Sequence, residues 1–120
     1  MRYTLENLKV YQEARELVRM SFLISDALQQ QRRFALSNQL EKTAISIASN
    51  IAEGKGSHSK KIYLKHINIA IGSAYELECQ LDLAKICLDE KSFEQIEEQL
   101  DGIIAKLYGL QRFLVKALEP

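Results

Sequence analysis

Apolar or small residues recur at steps of three and four in four separate blocks of the chain. The first block holds Val10, Ala14, Leu17, Ser21, Ile24 and Leu28. The second holds Leu36, Leu40, Ala44, Ile47 and Ile51. The third holds Ile67, Ala70, Ala74, Leu77, Leu81, Ala84 and Leu88, and the fourth Phe93, Ile96, Leu100, Ile103, Leu107, Leu110, Leu114 and Ala117. Steps of three and four place each set on one stripe of a helix. No block alternates with period two over a useful length, so no strand is predicted.

The boundaries follow from local chemistry. Thr4 is a candidate cap for the first helix or its lead-in, and Gln29 to Arg33 is a polar connector. Ser37 is a candidate cap for the second helix, and Gly54 is expected to end that helix in the left-handed conformation. Ser57 or Ser59 is placed to cap the third helix. Ser92 with Gln95 has the spacing of a capping box for the fourth, with Glu94 adding negative charge to its first turn. Connections this short force antiparallel neighbours. The predicted fold is all-α: an antiparallel up-down-up-down four-helix bundle, formed as a single domain over residues 1–120.

The apolar stripes are broader than one bundle seam requires. Tyr11, Val18 and Phe22 flank the first; Ile62, Tyr63, Leu64 and Ile71 flank the third; Ile104, Tyr108, Phe113 and Leu118 flank the fourth. Either the core is broad, or a second apolar surface is buried in an oligomer.

Composition bounds the rest. A chain of 120 residues, 47% hydrophobic, is long enough to bury a core without disulfides. The sole proline is Pro120, so it interrupts no helix. No run of about 18 apolar residues exists, so no membrane span is predicted. The first residues lack an apolar signal core, which predicts a cytoplasmic protein. Cys79 and Cys87 lie eight apart on one helix, a rise of about 12 Å. That is too far for a disulfide within it, and two reduced cysteines suit the cytosol.

Net charge is zero but unevenly spread. Residues 1–66 carry 11 Lys and Arg against 6 Asp and Glu, while residues 67–120 carry 5 against 10. The basic part is densest at Lys55, Lys60, Lys61 and Lys65, and the acidic part from Asp89 to Asp101. A molecule with one basic and one acidic surface is expected, rather than a uniformly basic nucleic-acid binder.

Catalytic and metal motifs are missing. No Glu stands three residues before His58 or His66, as a di-metal carboxylate bundle would need. The two histidines, eight apart, do not make an i, i+4 metal pair, and the cysteines lack zinc spacing. Surface histidines and core cysteines are expected, and neither metal nor cofactor. No Gly-x-Ser-x-Gly elbow occurs, and the Walker pattern fails because position 49 is Ser. The chain is accordingly expected not to be an enzyme and to take no small-molecule substrate.

Two groups of residues stand out. Lys55, Ser57, His58, Lys60, Lys61 and Lys65 surround a glycine turn at a helix start, where backbone N–H groups and cationic side chains suit phosphate. The other reading is a solvated loop. Ser46, Asn50 and Glu53 step by four and three along one face, with Ser73 and Glu76 on the third helix. They are expected to form a structural polar cluster in which Asn50 or Glu53 hydrogen-bonds the Gly54–Ser59 loop or the third helix.

The chain resembles the bacterial four-helix-bundle family first noted as proteins encoded by intervening sequences within 23S ribosomal RNA genes. The resemblance runs from Leu8-Lys9-Val10-Tyr11-Gln12 through Leu36-Ser37-Asn38-Gln39-Leu40 and covers essentially the whole chain. Its strongest parts are Ser46-Ile47-Ala48-Ser49-Asn50-Ile51-Ala52-Glu53-Gly54 and Ile69-Ala70-Ile71-Gly72-Ser73-Ala74-Tyr75-Glu76-Leu77-Glu78. It implies an antiparallel bundle, commonly a homopentamer, and carries over no catalytic residues. A more distant similarity is to the accessory variability determinant of diversity-generating retroelements, a basic pentamer that binds nucleic acid and a reverse transcriptase. Ser57 stands where arginine is common in the family. The function expected is a non-enzymatic self-assembling protein that meets RNA or DNA through a basic loop repeated around the oligomer. The alternative is a protein-interaction module, a structural partner in a mobile-element or host complex.

Overall fold

The four stripes become four helices. The computed structural model describes residues 8–120; the expected cap at Thr4 lies outside them. Helix α1 spans Lys9–Gln30, α2 Phe34–Gly56, α3 Lys60–Ala84 and α4 Glu94–Ala117, with a single 3-10 turn at Glu90–Phe93 leading into α4. The helices pack in chain order around a common core, α1 on α2, α2 on α3, α3 on α4, and α4 back on α1. The bundle measures 52 × 26 × 22 Å. One end carries the α2–α3 loop and the finish of α4. The other carries the α1–α2 turn, the finish of α3 and the start of α4.

The core is built from the stripes. All six members of the first are buried, as are Leu40, Ala44, Ile47 and Ile51 of the second. Leu36, Leu88 and Leu110 pack against the core from its margin, and Ala117 at the end of α4 is exposed. Among the flanking residues Ile71 is buried, and Tyr11, Val18, Tyr63, Leu64, Ile104 and Tyr108 pack against the core. Phe22, Ile62, Phe113 and Leu118 stay exposed. The broad stripes thus serve mainly a broad core and leave some apolar surface over.

Polar residues also enter the core. Ser21 donates to the Leu17 carbonyl at 2.8 Å, and Thr43 to the Gln39 carbonyl at 2.8 Å. Ser25 of α1 donates to the Glu41 carboxylate and shares a hydrogen bond with Ser37 of α2. The Gln29 amide donates to the Ser37 hydroxyl at 3.1 Å. These contacts set the register of α1 against α2.

Three expected helix ends differ from those observed. Ser37 does not cap α2: the helix begins at Phe34, and the Ser37 side chain is committed to Ser25 instead. The preceding turn explains the earlier start. Arg33 N–H donates to the Leu28 carbonyl and Arg32 N–H to the Gln29 carbonyl, both at 2.8 Å. That is a Schellman closure with Arg32 at φ 62°, where glycine is usual. A non-glycine residue in this region costs about 1–2 kcal/mol. Gly54 does not end α2 in the left-handed conformation, since no glycine among the described residues has positive φ and the helix runs on to Gly56. Nor does Ser92 form a capping box: α4 starts after Phe93 without a side-chain cap, and the nearest cap is Asp89, which accepts from Lys91 N–H at 3.2 Å.

Candidate nucleic-acid interface

Gly54 is required by proximity. A Cβ built there would lie 2.8 Å from Tyr63 Cδ1 and 3.1 Å from His66 Cβ. The missing side chain lets α2 and α3 approach closely just before the loop. The loop is then closed by its serines. Ser59 N–H donates to Ser57 Oγ at 3.0 Å, and Ser59 Oγ accepts from Ile62 N–H at 3.2 Å. Ser59 is therefore the cap of α3, and Ser57 holds the turn before it.

Below the loop lies the polar cluster. Asn50 donates its amide to the Ser46 carbonyl at 2.8 Å, which turns its Oδ1 toward α3. There Oδ1 meets His66 Nδ1 at 2.9 Å, so that nitrogen carries the proton and donates. Glu53 Oε2 lies 3.4 Å from the same nitrogen. The His66 side chain is 20% exposed and that of Glu53 is 65% exposed. Ser46 and Ser73 hydroxyls join at 3.0 Å across α2 and α3. The expected bond from Asn50 thus reaches α3. Glu76 stands apart: it is exposed on α3 and no hydrogen bond joins it to the group. His66 belongs to the cluster in its place, so it is not a free surface histidine. It lies 16 residues from Asn50, a spacing with no local signature.

The candidate anion-binding residues gather at one end of the bundle. Lys55, His58, Lys60, Lys61 and Lys65 are exposed, and Ser57 is half-buried. None of these four lysines forms an ion pair among the described residues. Lys61 and Lys65 border a shallow apolar groove over Ile62, Leu64 and Ile69. Asn68 on the same groove accepts from Gln111 at 2.7 Å and ties α3 to α4 there.

The fold sorts charge more sharply than the sequence halves do. Residues 60–72 of α3 and 106–117 of α4 lie toward this end, and they hold six Lys and Arg with no Asp or Glu. Residues 73–84 and 94–105 lie toward the other end, and they hold seven Asp and Glu with no Lys or Arg. Lys106, Arg112 and Lys116 come from the acidic half of the sequence, yet antiparallel packing carries them to the basic end. On α4 this order favours the helix macrodipole, with acids first and bases last. On α3 it opposes the macrodipole at both ends.

Other chemistry is sparse. Cys79 is exposed, contrary to the expectation of a core position, and Cys87 is half-buried with its thiol near the Ala84 carbonyl. Among the described residues no three His, Cys, Asp or Glu side chains are grouped to hold a metal. No described helix is long and apolar enough to cross a membrane. Desolvation raises the Tyr63 hydroxyl above its ordinary value of 10.0.

A family model described as "23S rRNA-intervening sequence protein" matches residues 6–109. A solved structure is similar at a TM-score of 0.77 and 26% identity, covering 85% of this chain and 97% of its own. It is described as a protein with unknown function from the S23 ribosomal protein family of Bacteroides thetaiotaomicron VPI-5482. No curated protein matches the chain.

Proposed function

The chain belongs to the 23S rRNA-intervening sequence protein family, and on that footing we propose a non-enzymatic, self-assembling bundle whose basic end binds RNA or DNA. One observation carries the reading: the sorting of charge along α3 and α4, whose segments at one end hold six cations and no anion. Five of the six lie outside any ion pair among the described residues, and Lys106 pairs with Glu13 of α1. On α3 the lysines sit against the positive end of the helix macrodipole, so helix stability does not account for their place. A phosphate backbone does, because it is attracted by the lysines and the dipole together. The similar solved structure is described as belonging to a ribosomal protein family.

Assembly multiplies the effect. In a homopentamer, the number the family resemblance implies, Lys55, Lys60, Lys61 and Lys65 recur on every subunit. Single phosphate contacts that are weak alone then act together. The cytoplasm is the compartment this role requires.

A labelled fragment of 23S rRNA, titrated at low salt and followed by fluorescence anisotropy, tests the reading. The variant carrying Lys55→Glu, Lys60→Glu and Lys61→Glu is expected to bind at least tenfold more weakly than the wild type. Equal binding by the two would remove the basic end from the account. The acidic end supports a second reading, a protein-interaction module, since Glu78, Asp82, Glu97 and Asp101 line one open groove between α3 and α4. A basic protein recovered in a pull-down that nuclease does not diminish would favour it.

A further inference from the structure

A second stripe runs along the solvent side of α3, opposite its core stripe. Its positions follow the seven-residue spacing of a coiled-coil seam: Ile62, Lys65, Ile69, Gly72, Glu76 and Cys79, with Leu83 continuing it. Every one of them is exposed. Ile62 is 49% exposed, Ile69 42% and Leu83 45%, on a helix whose core face is already filled. Scattered exposed apolar residues are ordinary. Three on one heptad register are a seam, and this seam divides by charge. Lys60, Lys61 and Lys65 flank its first half, while Glu76, Glu78 and Asp82 flank its second. Neither Lys65 nor Glu76 forms an ion pair among the described residues.

We infer that α3 packs along this stripe against α3 of a second copy, antiparallel, about a two-fold axis between Ile69 and Gly72. The inference rests on the self-assembly proposed above and adds a two-fold contact between copies, separate from the heterologous contacts that close a ring. Antiparallel pairing about that axis brings three kinds of layer together. Ile69 faces the partner's Gly72, where an added Cβ would meet nothing within 4 Å, so the large side chain enters a hollow in the helix surface. Lys65 faces the partner's Glu76. Ile62 faces the partner's Cys79. The two-fold repeats each layer in reverse, so every lysine on the seam meets a carboxylate. A parallel arrangement would set lysines against lysines and acids against acids, which is destabilising. The contact is isologous and closes on two copies; where a ring also forms, it joins two rings.

Four proteins test this: the wild type, Lys65→Glu, Glu76→Lys and the charge swap carrying both. All substituted positions are exposed, so circular dichroism should show the same helix content throughout. Light scattering should give each single variant half the wild-type mass, or a dissociation constant at least tenfold higher. The swap should regain the wild-type mass, because it restores an opposite pair in each layer. In a Cys87→Ser background, Ile62→Cys should form a disulfide with the partner's Cys79 under mild oxidation, giving a band at twice 13.7 kDa. Unchanged masses in all three variants, or a swap that fails to recover, would overturn the seam while leaving self-assembly standing. A wild type that stays at 13.7 kDa at tens of micromolar would overturn both.

Discussion

Replacing Gly54 by alanine tests the packing that presents the basic end. In a helix interior, Gly→Ala ordinarily stabilises by roughly 0.5–1 kcal/mol, because alanine loses less backbone freedom on folding. At position 54 the added methyl would lie 2.8 Å from Tyr63 Cδ1 and 3.1 Å from His66 Cβ. The tyrosine ring is the closer obstacle and packs against the core. His66 Cβ is fixed to the α3 backbone, so the two helices must separate by a few tenths of an ångström. Overpacking of this kind costs about 1–3 kcal/mol. With the helix gain subtracted, Gly54→Ala is expected to lose about 1–2 kcal/mol. Gly102 supplies the control. It lies inside α4, and a Cβ there meets nothing within 4 Å, so Gly102→Ala should gain about 0.5–1 kcal/mol. Urea unfolding followed by circular dichroism reads both as shifts of the midpoint at constant slope. In a Tyr63→Ala background much of the Gly54→Ala penalty should vanish, which a double-mutant cycle would show as coupling. If Gly54→Ala stabilised as much as Gly102→Ala, close approach would not be the reason for the glycine.

The same unfolding assay checks two further expectations. Asn50→Ala removes the acceptor from a largely buried His66 Nδ1–H and should cost about 1–2 kcal/mol, whereas Glu53→Ala, at an exposed carboxylate, should stay within about 0.5 kcal/mol. Burial raises the Tyr63 pKa above 10.0, so between that value and its folded-state value the native state holds a proton that the unfolded state has released. The stabilising contribution is therefore complete below pH 10 and lost as pH rises through the folded-state pKa. Tyr63→Phe should flatten that alkaline decline; an identical profile in both proteins would place its cause elsewhere.

The core was legible because burial in a bundle asks only for the 3.6-residue period, and Leu17, Ile47, Leu77 and Leu107 announce it. Gly54 was legible as a special position but not as to kind. One letter serves both a left-handed turn and a close approach, and only Tyr63 and His66 across the loop distinguish them. The α1–α2 turn was hidden because Arg32 takes a conformation that glycine would have signalled. Ser37 looked like a cap for the same chemistry that makes it a buried partner of Ser25. His66 was missed because its hydrogen bond spans two helices. The charge sorting on α3 and α4 is written in the sequence and follows from the antiparallel placement of the helices. Summing charge over halves of the chain blurred it, since α4 returns its lysines and arginine to the basic end.

The central claim is that the basic end of an assembled bundle holds a nucleic-acid backbone, and the salt dependence of binding tests it most directly. Filter binding of a 23S rRNA fragment, measured from about 50 to 200 mM salt, gives the slope of log K against log salt. Each phosphate contact on a single strand contributes about −0.7, so contacts from Lys55, Lys60 and Lys61 predict a slope of about −2. Changing Lys55, Lys60 and Lys61 to Glu should lower the affinity and flatten the slope. A flat titration at low salt, or a slope that the three substitutions leave unchanged, would contradict the account.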